Sequence, residues 1–222
     1  MVATPGPAVA DLLQTTAVAL IPVPETQANI QPGGAFTSFD ISFADPVLSA
    51  AGTGNIFIAD RSNASVDIVS GSSLTVLGQA LWFAGQTGNN STSGADGVLT
   101  VTSGGVTTLY AGDGNSSLKV FNVTTTATTA SATQVTQILT GNPATAFRLD
   151  EMAFSPANGG QVLAANNAAT PAFGNLFNTS SGHPPVTLIG SPQVTPPTNQ
   201  ITIPTSLGGS GPAAWSSRCG IR

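Results

Sequence analysis

Three observations predict an all-β fold built from repeated short antiparallel strands. Charged residues make up only 7% of the 222, while Gly and Pro number 25 and 16, a composition of strands and turns rather than of long helices. Apolar and polar residues alternate over short runs bounded by Asp, Asn, Gly and Pro, as in half-buried strands. A block of about 50 residues recurs, and a period of that length points to repeated supersecondary units.

The first block opens at Asp40, and Asp40-Ile41-Ser42-Phe43 alternates as a strand until Asp45-Pro46 stops it. Asn55 to Ala59 resumes, Asp60 to Asn63 turns, Ser65 to Val69 resumes again, and Ser73 to Leu77 supplies a fourth strand. Asp, Asn and Gly suit these breaks because they tolerate positive φ or bond to the local backbone. In the second block Asp96 opens Asp96-Gly97-Val98-Leu99-Thr100-Val101, Leu109-Tyr110-Ala111 follows, Gly112-Asp113-Gly114-Asn115 turns, Ser117 to Phe121 returns, and Gln134 to Leu139 is the fourth strand. Ala59 falls on Ala111, Asn63 on Asn115 and Ser65 on Ser117 at an offset of 52 residues. The third block runs Leu149-Asp150-Glu151-Met152-Ala153-Phe154, then Val162 to Asn167, with Pro185 to Ile189 last. It lacks the Asn turn and carries Thr170-Pro171-Ala172-Phe173-Gly174-Asn175-Leu176-Phe177 instead, which weakens the signal for its last hairpin.

Three or four antiparallel strands in each repeat of this length are the pattern of a β-propeller blade. The expected organisation is an N-terminal segment 1–35 that supplies a closing strand, and three blades at about 36–85, 93–141 and 148–190. A Pro-rich loop or linker at 191–206 follows, then the start of a fourth blade with an irregular tail at 207–222. A closed propeller takes about four to eight blades, so this count predicts an incomplete ring. The chain then reads as a truncated product of a longer propeller of about six or seven blades, without an independent role on that reading.

The stretches Ala59-Asp60-Arg61-Ser62-Asn63 and Ala111-Gly112-Asp113-Gly114-Asn115, each leading into Val66-Asp67-Ile68-Val69 or Leu118-Lys119-Val120-Phe121, resemble bacterial propellers of the YVTN and NHL-like kind. The resemblance covers residues 36 to 190 and implies the propeller fold. It implies no single activity, because such propellers serve as binding platforms, scaffolds and several unrelated enzymes.

Composition excludes several function classes. Five Lys and Arg against ten Asp and Glu, for a net charge of −5, exclude nucleic-acid binding by phosphate neutralisation. A positive mean hydropathy excludes a charge-driven disordered chain. Leu12 to Val23 is too short and too interrupted to cross a bilayer. The first basic residue is Arg61, so no intact signal peptide is visible, yet richness in Ser, Thr, Asn and Gly fits an extracytoplasmic protein: secreted, periplasmic or at the cell surface. Six Asn-X-Ser/Thr sequons, at Asn63, Asn89, Asn90, Asn115, Asn122 and Asn178, are glycan sites only in a eukaryotic secretory route. The single cysteine, Cys219, has no partner for a disulfide.

The recurrent aspartates are the leading site candidates. First strands line the axis of a propeller, so Asp40, Asp96 and Asp150, with Glu151, are placed to converge at one channel mouth. Converging carboxylates suit a hard cation, Ca2+ above all. The competing reading is that each Asp bonds the turn entering its strand. His183, the only histidine, falls in the loop-like Ser181-Gly182-His183-Pro184-Pro185 with no nucleophile near it in sequence. Asp60-Arg61 reads as a charged hairpin tip, and Trp82-Phe83 as packing between blades, with carbohydrate stacking as the minor alternative. Gly85 to Gly97 and Gly112 to Asn115 read as turns, since no Lys and no helix follows to make a phosphate loop.

Two functions follow. One is a non-catalytic propeller module that binds an unknown protein, glycan or small-molecule ligand. The other is an axial-metal lactonase or hydrolase with Asp40, Asp96 and Asp150 as ligands, which resembles gluconolactonase-type propellers at fold level only.

Overall fold

The computed structural model describes residues 20–23, 36–45, 47, 54–189 and 201–202. Most of the N-terminal segment, of the Pro-rich 191–206 stretch and the whole of the 207–222 tail, Cys219 included, lie outside the described residues.

The described chain is all-β. Strands β1 (Phe39–Ala44), β2 (Asn55–Asp60), β3 (Ser65–Ser70) and β4 (Val76–Leu81) form sheet 1. Sheet 2 contains β5 (Val98–Ser103), β6 (Val106–Asp113), β7 (Ser117–Thr125) and β8 (Ala130–Leu139). Sheet 3 contains β9 (Met152–Ser155), β10 (Gln161–Asn166), β11 (Phe173–Ser180) and β12 (His183–Leu188). Each sheet is an antiparallel meander in which every strand pairs with the next in sequence, and β13 (Ile201–Thr202) pairs with β11 at Phe173 and Gly174. The described sheets do not close into a ring. Among the described residues the one α-helical element is the single turn Pro143–Ala146, capped by Asn142, whose Oδ1 accepts from the Ala144 amide at 3.0 Å. No described helix is long and apolar enough to cross a membrane.

Turn chemistry sets the strand boundaries. Ser103↔Val106 closes the β5–β6 ladder around Gly104 and Gly105, whose φ values of 58° and 79° are those of a two-residue hairpin. The last hairpin of sheet 3 is present, with Ser181 and Gly182 at φ 53° and 87° making a two-residue turn between Ser180 and His183. Sheet 1 differs from expectation at its fourth strand. Ser70 Oγ accepts from the amides of Ser72 and Ser73, and Leu74 takes φ 53°, so residues 73–75 belong to the turn and the strand starts at Val76.

The three sheets share one strand order, and their strand ends follow a spacing slightly different from that of the sequence blocks. Asp60, Asp113 and Asn166 each end the second strand of a sheet and recur every 53 residues, whereas Ser65 and Ser117 begin the third strands 52 apart. The turn of sheet 2 is one residue shorter, so the structural counterpart of Ala59 is Gly112 rather than Ala111.

Sheets 1, 2 and 3 stack face to face. First strands lie against first strands and last against last. Strand β6 shows how one sequence serves two interfaces: Leu109 and Ala111 point into the core shared with Phe57, Val66 and Ile68 of sheet 1, while Tyr110 points into the core shared with Val162, Ala164 and Phe177 of sheet 3. At one end the sheets approach so closely that a Cβ on Gly97 or Gly112 would stand 1.9 Å from the carbonyl oxygens of Asp150 or Leu149.

Candidate functional site

That close-packed end holds the recurrent aspartates. Asp40 lies in β1, Asp96 precedes β5 and its amide bonds the Gly112 carbonyl at 3.0 Å, and Asp150 precedes β9 and its amide bonds the Ala165 carbonyl at 2.7 Å. First strand entering beside the end of the second is therefore a shared local geometry, and it brings the three acids to the same end of the stack.

Two arginines organise them. Arg61, in the β2–β3 turn, donates through Nη2 to both Asp40 Oδ2 and Asp96 Oδ1, and through Nη1 to Asn90 Oδ1 at 2.6 Å. Arg148 donates through Nε to Asp150 Oδ2 at 3.0 Å and through Nη1 to the Asn90 carbonyl at 2.9 Å. Asn167 Nδ2 also donates to Asp150 Oδ2, at 2.5 Å. Asn90 thus links the two ion-paired groups into one network across all three sheets. Asp60 and Arg61 are both buried; they are not a solvated hairpin tip, because the Arg61 side chain crosses into the interface with sheet 2.

Burial dominates the electrostatics. Desolvation raises the Asp96 carboxyl well above the ordinary range; Arg61 opposes the rise, while Asp150 and Asp40 add to it. Asp40 is raised by burial and by Asp150 against the pull of Arg61 and Arg148. Glu151 is raised by burial, then by Asp150 and Asp40.

Asp40 and Asp96 meet on Arg61, and Asp150 sits on Arg148. Among the described residues no three His, Cys, Asp or Glu side chains are grouped to hold a metal ion. The donor set does not suit calcium, which needs six to eight oxygens turned inward on one point; here Arg61 stands between two of the carboxylates. Asp96 Oδ2, Asp150 Oδ1, Arg61 Nε and Asn167 Oδ1 are buried without a hydrogen-bond partner, so the network is polar beyond what its own contacts satisfy.

A second polar layer recurs at the third position of each third strand, where sequence reasoning singled out nothing. Lys119 in β7 pairs with Asp113 at 2.9 Å, donates to the Trp82 carbonyl of sheet 1 and sits 4.7 Å from the Phe83 ring centroid. Asn175 in β11 donates to the Thr140 carbonyl of sheet 2 at 3.2 Å. Asp67 in β3 is the third member, held by Gln79 Nε2 at 2.7 Å and Ser65 Oγ at 3.1 Å. The readable signal was the offset of 52 that lays Lys119 on Asp67.

The remaining candidates separate. Phe83 packs between sheets 1 and 2, 5.9 Å from Phe121, but Trp82 is 62% exposed. Of the sequons, Asn89, Asn90, Asn122 and Asn178 are exposed, Asn115 is half-buried and Asn63 is buried. His183 is the first residue of β12, half-buried, with Nε2 2.8 Å from Ser103 Oγ and Nδ1 2.8 Å from Thr108 Oγ1. No family model matches the chain, and no curated protein matches it.

Proposed function

We propose that the three sheets are blades of a propeller-type binding or scaffold module, extracytoplasmic and of the YVTN or NHL-like kind, with no catalytic role at the end where the first-strand aspartates gather. One observation carries this reading: Asp40, Asp96 and Asp150 are each paired with a buried arginine, and Arg61 ties the entry of sheet 2 to sheet 1, a structural use of these acids. The face-to-face stacking of like strands supports blades. The partner is a protein, a glycan or a small polar ligand.

The second reading, an axial-metal hydrolase, draws its support from the recurrence of the acids at one end. Thermal unfolding with millimolar Ca2+ and with EDTA separates the two. A bound cation would raise the midpoint by mass action; the binding-module reading expects superimposable curves, and a calcium-dependent rise would favour the metal reading.

A further inference from the structure

At the opposite end of sheet 2 the hydroxyl of Ser103, the imidazole of His183 and the hydroxyl of Thr108 form a continuous line, with 2.8 Å at each junction. We propose that Ser103 is a nucleophile activated by His183, and that this end carries an acyl-transfer activity toward small carboxylic esters, beyond the binding role proposed above.

The arrangement meets the geometric demands of such chemistry: a nucleophile within hydrogen-bond reach of a base, and a base oriented by a third group. Thr108 is fully buried and holds the imidazole through Nδ1; in the proposed arrangement it accepts the Nδ1 proton, which leaves Nε2 to accept from Ser103 Oγ. The backbone around the ring is equally fixed. Tyr110 Oη donates to the Gly182 carbonyl at 3.0 Å, and Gly182 packs so tightly that a Cβ there would lie 2.4 Å from Val101 Cγ1. Pre-organisation of this kind lowers the cost of reaching the reactive geometry.

Access differs from that of the buried Asp–Arg network. Ser103 is exposed and ends β5 at the Gly104–Gly105 turn, where nothing stands within 4 Å of either missing Cβ. A substrate carbonyl can therefore approach Oγ, and the two turn glycines directly follow the nucleophile, outside the last ladder pair Ser103↔Val106. An exposed nucleophile at a hairpin tip suits small or extended esters.

The step balances with water as co-reactant. Ser103 Oγ bonds to the ester carbonyl carbon as its proton passes to Nε2. The C–O bond to the alcohol breaks, and the leaving alkoxide takes that proton. Water then attacks the acyl carbon, gives a proton to Nε2, and the Ser103 oxygen leaves and recovers it, releasing the carboxylic acid. His183 is the general base and then the acid; Thr108 is a positioning residue.

The test treats the full chain with a fluorophosphonate probe, which forms a phosphonyl–Oγ bond and expels fluoride, followed by intact mass and peptide mapping, with p-nitrophenyl acetate turnover in parallel. The expected result is a single adduct on Ser103, loss of the adduct and of turnover in Ser103→Ala, and a fall of about 10²-fold or more in labelling rate in His183→Gln. Thr108→Val is expected to slow labelling while Thr108→Ser restores it, a rescue that a purely structural role would not give. Melting curves identify any variant that has failed to fold. Absence of labelling on the folded wild-type chain, labelling spread over other serines, or a folded His183→Gln that labels at the wild-type rate would overturn the proposal.

Discussion

Asp67 and Lys119 occupy the same position in successive sheets, the third residue of the third strand, with opposite charge. Lys119 neutralises Asp113, the last residue of its second strand. Asp67 instead stands beside Asp60, the counterpart of Asp113, so sheet 1 holds two acids where sheet 2 holds an ion pair and sheet 3 holds Asn166 and Asn175. Lys119 and Asn175 both donate to a carbonyl at the exit of the preceding sheet; a carboxyl can do the same only when it carries its proton.

The first prediction is a stability that falls as pH rises toward neutrality. Burial, with Asp60 adding repulsion, pushes Asp67 up to about 7 from the 3.8 of an exposed carboxyl. The folded state therefore holds a proton between about pH 4 and 7 that the unfolded chain has released. Stability from this group is fully present below pH 4 and is lost as pH climbs through 7, with a slope of at most about 1.4 kcal/mol per pH unit. Asp60, Asp40, Asp96 and Glu151 are raised as well and act with the same sign. Urea denaturation across pH 4 to 8 measures the slope, and Asp67→Asn, which installs the amide that Asn175 already uses, is expected to flatten it.

Removal of Arg61 is expected to be the most costly single change at the Asp–Arg end. Arg61→Ala leaves Asp96, fully buried, without its cation, and breaking a buried pair from one side costs about 3–5 kcal/mol. Arg61→Lys is expected to recover only part of this, because one ammonium cannot reproduce the fork that spans Asp40, Asp96 and Asn90. Chemical denaturation of Arg61→Ala alone and combined with Asp96→Asn checks the origin of the loss: the double variant should be the more stable of the two.

Gly97→Ala and Gly112→Ala test the close approach of sheets 2 and 3. Each methyl group would meet a backbone carbonyl at 1.9 Å, and backbone cannot rotate aside as a side chain does. Overpacking of this kind costs about 1–3 kcal/mol or more. Gly104→Ala, where the space is open but φ is 58°, is expected to cost about 1–2 kcal/mol from backbone strain. Thermal melts of the three variants rank the two effects.

Lys119→Met is expected to leave Asp113 buried beside an apolar chain and to destabilise by about 3–5 kcal/mol. Asp113→Asn in the same chain should restore much of the loss, and a double-mutant cycle by urea titration gives the coupling between them.

How much of this was legible depends on sequence distance. The spacings of 56 and 54 between Asp40, Asp96 and Asp150 were readable because the side chain that matters recurs at the entry of each first strand, and entry points are marked by local turn residues. The alternation in β6 and β7 told which residues are core. The partners of the aspartates were not readable: Arg61 meets Asp96 across 35 positions, and its direction depends on how a four-residue turn projects a long side chain toward the next sheet. His183 meets Ser103 across 80 positions, so the stretch around His183 contained no trace of a nucleophile. The scarcity of cations was the usable clue, since five basic residues among ten acids leave few ways to neutralise what is buried.

Sheet 2 is covered on both faces, by sheet 1 through Leu109, Ala111 and Phe121 and by sheet 3 through Tyr110, Leu118 and Val120. Among the described residues, opening its central strands requires separating both neighbours, whereas each neighbour meets another sheet only at sheet 2. Amide deuterium exchange should therefore be slowest in β6 and β7, at a free energy close to that of global unfolding, and faster in sheets 1 and 3. Sheet 2 is then the last to come apart, and the order in which the meanders are lost is set by which of the two interfaces lets go first.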